Sequence, residues 1–331
     1  MVYQLYQSAL VYWHKSSLAQ QALFVSGTLL FVLMIVHGAA LVVTGGSING
    51  PVSFRKAITF SETLGLTCWA VAWMLPIFSL RRVARGLLTG FVMLFTLGEA
   101  VLMSMQVWRG VPSHYNFTTL FDMTVYYATG VGAAGFTALV LVLLVLSFRQ
   151  PQATPSVLLA VRAGLVITLF GSAIGVLMSI NSGPVWQGFA AIAQRYEQPP
   201  FGHYIGQAEG TTGGNLVLLH AFGVHGLQLL PLVAWMLGYS TLVERTRTGL
   251  VAATTISFGA LLTVLSVQTF RSLPPFALDP TTGALLMASA SAVAVCYAAT
   301  TWYTLHGLVA ARNTEPRFGA VAPEKAPFSI S

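Results

Sequence analysis

The chain has 331 residues, 8% of them charged and 55% hydrophobic, with a mean hydropathy of +0.74. A soluble domain carries about a quarter charged residues, so this composition excludes one. The formal net charge of +7 follows membrane topology rather than a nucleic-acid footprint, because its residues sit at the ends of apolar runs.

Residues 1–19 lack the basic start, apolar core and small-residue cleavage site of a signal peptide. Their Tyr3, Tyr6, Tyr12 and Trp13 suit a segment lying in the interface. Crossing about 30 Å of hydrocarbon takes about 20 apolar residues. Eight such runs follow, at 21–44, 60–80, 87–108, 121–147, 157–180, 215–239, 249–270 and 283–307. The predicted fold is therefore an all-α polytopic membrane protein in contact with the lipid bilayer, with a bacterial inner membrane as the expected location. Residues 183–214 form an enlarged loop, and the Pro-rich tail at 311–331 reads as disordered. With the N-terminus inside, eleven Lys and Arg residues flank the cytoplasmic side, against five outside (Arg55, Lys56, Arg109, Arg195 and Arg271). That bias places both termini in the cytoplasm. Cys68 and Cys296 each fall within a span and offer neither a disulfide nor a CxxC motif.

The chain also matches itself. "SINGPV" (47–52) pairs with "SINSGPV" (179–185), and "SMQVWRGVP" (104–112) with "SVQTFRSLP" (266–274). The second match sets Arg85 opposite Arg247, Gln106 opposite Gln268 and Arg109 opposite Arg271. The expected organisation is two tandem four-helix bundles, 20–150 and 151–310, in parallel orientation. By the first match His37 stands opposite Leu169 or Phe170, and by the second Glu99 stands opposite Leu261. His37 and Glu99 thus depart from the internal template.

Ionisable groups inside spans are costly and mark candidate functional sites. Counted from the helix ends, His37, Glu99, His220 and His225 lie about 8–15 Å below the outer surface. On the sixth span one broad face carries His220, His225 and Gln228. Neutral imidazole ligates heme and transition metals, so His37, His220, His225 and Glu99 make a candidate metal set, with Glu99 as the catalytic carboxyl. Gln228, Arg109 and Arg271 join the histidines as cofactor-binding candidates. The competing readings are packing histidines, a hydrogen-bonded neutral Glu99, helix-to-helix bonding by Gln106 and Gln268, and arginines that snorkel to the surface.

"GSAIGVLMSINSGPVWQG" (171–188) followed by "LVLLHAFGVH" (216–225) resembles heme A synthase, an eight-helix membrane enzyme built of two four-helix bundles with cytoplasmic termini. The resemblance implies that His220 is the axial ligand of the second bundle. It does not extend to the family's other histidines: Glu62 stands near the place of one, His306 lies at the wrong end of its span, and Ala221 follows His220 where the family has Arg. It therefore carries architecture rather than heme A synthesis.

Three functions follow. The first is a membrane redox protein, with oxidoreductase activity, holding heme b or a transition metal (copper or iron) in the outer half and exchanging electrons with another membrane subunit or a quinone. The second is a transporter or proton-coupled carrier built on parallel repeats, and the third a non-catalytic subunit or assembly factor. None involves nucleic acid.

Overall fold

Hydrocarbon leaves a backbone nowhere to find hydrogen bonds outside itself, so apolar runs of this length close their own amides as helices. The computed structural model describes residues 10–46, 48, 52–149, 153–181, 204–205 and 213–314. Helix α1 spans Leu18–Thr44, α2 Phe54–Met74, α3 Arg82–Trp108 and α4 Leu120–Leu146. Then follow α5 (Pro155–Asn181), a two-stranded antiparallel pair of β1 (Tyr204–Ile205) and β2 (Gly214–Asn215), α6 (Leu216–Val224), α7 (Gly226–Leu237), α8 (Glu244–Phe270) and α9 (Pro280–Thr314). With α6 and α7 counted as one interrupted span, eight helical segments are long and apolar enough to cross a membrane. The last helix continues through Thr314, beyond the predicted end of the span at 307. Tyr3, Tyr6, Arg195, His203, most of the 183–214 loop and residues 315–331 lie outside the described residues.

Helix starts are capped where the sequence supplies the side chain. Ser17 and Gln20 form a capping box on α1, and Ser53, Thr119 and Asn215 cap α2, α4 and α6.

The two halves pack alike. In 18–146, α1 lies along α2, α3 packs on both, and α4 packs on α3; in 155–314, α5 lies along α6 and α7, α8 packs on all three, and α9 packs on α8. The first pair in each half meets through glycine. A Cβ on Gly27 would stand 2.8 Å from the Gly65 carbonyl oxygen, and one on Gly164 would stand 2.7 Å from that of Gly226. The third helices end identically: Gly110 (φ 68°) and Ser272 (φ 59°) take left-handed backbone, and the amides of Val111 and Leu273 return to the carbonyls of Gln106 and Gln268 at 3.1 and 3.2 Å.

These landmarks revise one pairing. Helices α1 and α5 have the same length, and aligning Gly27 with Gly164 puts His37 opposite Ile174, not Leu169 or Phe170. The "SIN" match misleads because α1 stops at Thr44, before its copy of the motif, whereas α5 runs on through Ser179 to Asn181. The pairing of Glu99 with Leu261 is unchanged.

One apolar cluster joins both halves, with Cys68, Val71, Leu88, Val161, Val233 and Leu237 among its members. The halves are also tied by polar bonds. The Gln228 amide on α7 meets the Thr67 hydroxyl on α2 at 3.0 Å, and Arg162 on α5 donates to the Ser147 carbonyl after α4 at 2.6 Å.

Candidate functional site

The sequence points to His220, and the local fold shows how it is held. Helices α5 and α6 approach so closely that a Cβ on Gly171 would stand 2.6 Å from the carbonyl carbon of Gly223. This contact leaves the His220 ring over Gly175, where a Cβ would come within 3.0 Å of Cε1 and 3.1 Å of Nδ1. There Nδ1 lies 2.7 Å from the Gly171 carbonyl oxygen. A carbonyl can only accept, so Nδ1 carries the proton and Nε2 keeps its lone pair. Backbone carbonyls fix the tautomer of ligating histidines in this way.

His225 ends α6 and begins α7, at the interruption of the span. Gln228, predicted to line the same site, has its hydrogen-bond partners on the backbone and on the other half. Oriented with its oxygen toward Thr67, its amide donates to the carbonyls of Val224 and His225, both at 3.1 Å. It braces the helix interruption and joins the halves.

The first half presents a different group. His37 is fully buried, with Phe54 beside it at 6.2 Å between ring centroids, and Phe54 in turn meets Trp108 edge-on at 5.0 Å. Neither ring nitrogen of His37 has a hydrogen-bond partner among the described residues. Glu99 is 8% exposed, and no hydrogen bond or ion pair joins it to another described residue. His37 lies seven residues before the end of α1 and Glu99 nine before the end of α3, about 10–14 Å from those ends.

The arginines are held by acids at the helix ends. Arg109 pairs with Asp122 at 2.6 Å and also donates to Gln106, while Gln106 donates to Asp122 at 2.9 Å. Asp122 is 2% exposed and accepts from Thr119 as well, so the triad closes the α3–α4 corner. The second half repeats the plan in the open: Arg271 pairs with Asp279 at 3.3 Å, with both side chains about half exposed. There Gln268 donates to the carbonyls of Pro274 and Ala277. Backbone bonds to Thr282 and the Arg271 guanidinium hold the Asp279 carboxyl down at about 2. Both arginines are thus engaged by acids of the following helix, and Gln106 and Gln268 hold helix ends.

Asp122 and Thr67 are the residues that sequence reasoning passed over. A signal for Asp122 was present: each Gln-x-x-Arg pair is followed by an acid at the start of the next span. Thr67 had none: its hydroxyl lies 2.8 Å from the Thr63 carbonyl, the backbone bond that a threonine in an apolar helix ordinarily makes.

Among the described residues no three His, Cys, Asp or Glu side chains gather into a metal-holding group. His37, His220, His225 and Glu99 therefore do not make a three-histidine, one-carboxylate centre. His220 and His225 belong to the second half, and His37 and Glu99 to the first. Compared with protein-family models, curated proteins and solved structures, the chain matches none.

Proposed function

We propose that this is an integral membrane redox protein that holds one b-type heme near the outer end of its second half, with His220 as the axial ligand. The observation that carries the reading is the His220 Nδ1 contact to the Gly171 carbonyl at 2.7 Å. It leaves Nε2 as a neutral, oriented ligand at a side chain where the sequence resemblance to heme A synthase and the local geometry coincide. A bound heme supplies one-electron transfer at its iron, with a potential set by the axial ligand and by burial. The chain's part is to fix the imidazole, through Gly171 and Gly175, and to brace the α6–α7 interruption beside it, through Gln228 and Thr67.

The donor set suits a heme better than a bare copper or iron ion. A porphyrin brings four nitrogens of its own and asks the protein for one or two axial ligands, whereas an ion needs the three- or four-ligand group that the described residues lack. Against a carrier, the apolar core packs continuously across both halves, and Arg162 within it is tied to Ser147. The electron partner is a neighbouring membrane subunit or a quinone, and the setting a bacterial inner membrane.

The test is the visible spectrum of the protein purified in mild detergent from heme-replete cells. The reading expects a Soret band that shifts on reduction and is missing from folded His220→Ala. A colourless wild-type protein that also fails to take up added hemin would overturn it.

A further inference from the structure

The matched helix registers expose a difference between the outer cores of the two halves. In the second half Ile174, Phe258 and Leu261 belong to one apolar cluster. The equivalent first-half residues are His37, Thr96 and Glu99, all buried. Two apolar side chains have become ionisable ones, and a phenyl ring has become a threonine. The ring that fills the second half's outer core has no counterpart in the first. Thr96 turns its hydroxyl back to the Val92 carbonyl at 2.8 Å and toward Cys68 Sγ at 3.2 Å, and its small side chain does not itself take the place of that ring.

A neutral imidazole has one N–H to donate and one lone pair to fill. Buried without partners, as both nitrogens of His37 are, it carries an uncompensated desolvation penalty. An occupant with a hydrogen-bonding group removes that penalty. Phe54 lies tilted beside His37 and meets Trp108 edge-on, which gives the place an aromatic lining, and α1 turns Ile35, Val36, Val42 and Val43 outward toward lipid. A ligand here is reached from the bilayer and is itself apolar.

We propose that the outer half of the first bundle binds the head of a quinone or quinol, with His37 Nδ1 or Nε2 donating to a ring oxygen and Glu99 facing the same space as the second hydrogen-bonding group. Only the choice of a redox carrier over another lipid-soluble carbonyl compound rests on the heme reading; the site itself stands on His37, Thr96 and Glu99.

The test is fluorescence titration of the purified protein with decylubiquinone, beside decylbenzene as a ligand of similar apolarity without ring oxygens. The Trp108 contribution is isolated by difference against Trp108→Phe. The expected result is saturable quenching of that contribution by the quinone alone, with half-saturation raised about tenfold in His37→Leu, the equivalent of one lost buried hydrogen bond. His37→Gln, which keeps an N–H, falls between. Helical circular dichroism and unfolding temperature show that the variants fold, and His37→Leu is expected to be at least as stable as wild type because it removes the unpaired imidazole. Quenching that rises linearly with quinone, or an identical half-saturation in wild type and His37→Leu, overturns the proposal and leaves only water or lipid beside His37. A missing Soret band defeats the heme reading, and with it the ground for choosing a redox carrier, while the site itself is judged by the half-saturation in this titration.

Discussion

Two alanine substitutions one turn apart on α5 separate the packing of the second half from the orientation of its histidine. Replacing glycine by alanine in a helix gains about 1 kcal/mol from propensity alone. At Gly171 the new Cβ would lie 2.6 Å from a backbone carbon of Gly223, and backbone cannot turn aside. The helices must part, at the overpacking cost of about 1–3 kcal/mol; with backbone on both sides we expect the upper end, a net loss of about 2 kcal/mol. At Gly175 the Cβ meets only the His220 ring, at 3.0 and 3.1 Å. The ring retreats by about 0.5–1 Å to reach ordinary contact. That shift carries the 2.7 Å bond to Gly171 to or past the limit of about 3.2 Å. One neutral hydrogen bond is worth about 1 kcal/mol, so the loss and the propensity gain nearly cancel. Gly175→Ala should unfold at the wild-type temperature yet lose the fixed tautomer of His220, read from the ¹⁵N shifts of labelled histidine and assigned by difference against His220→Ala. Gly171→Ala should unfold earlier. Equal unfolding temperatures for the two variants, or an unchanged His220 tautomer in Gly175→Ala, would refute the reasoning.

Three further outcomes follow from the corners and the interface. Asp122→Ala orphans the buried Gln106 amide and should cost about 1–3 kcal/mol in chemical unfolding; the loss stays modest because Arg109, 39% exposed, turns to water. Thr67→Val and Gln228→Leu should show a coupling of about 0.6 kcal/mol in a double-mutant cycle, and a coupling indistinguishable from zero would remove this bond from the link between halves. Asp279 titrates lower in the folded chain, about 2 against 3.8 for the free group. Its support of the start of α9 is therefore complete above about pH 4 and lost as pH falls toward 2, which amide exchange in the first turn of α9 should report as faster opening, corrected for intrinsic rates, over that window.

The helices were legible in the sequence because bilayer thickness imposes one length on every span and hydrocarbon leaves the chain no alternative to helix. The repeat was legible where its landmarks are structural, as at Gln106 and Gln268, whose carbonyls close the same left-handed turn. It failed at "SINGPV" because similar residues fall after one helix and inside the other. For the site, the sequence marked which side chains are expensive in lipid but not which of them meet. His37, Glu99, His220 and His225 lie at similar distances from their helix ends, and that distance alone drew them into one group. The two halves divide that group, and helix facing, which a single apolar sequence specifies weakly, decides membership. Gln228 shows the same gap: its depth suggested a ligand, and its neighbours Thr67, Val224 and His225 make it a brace.

Heme content per chain, measured as the pyridine hemochrome on wild type, His37→Leu and His220→Ala purified in parallel, bears most directly on the central claim. The account predicts one heme per chain in wild type and His37→Leu, and none in a His220→Ala protein of native helicity. Heme retained by His220→Ala, or absent from all three preparations, would contradict it.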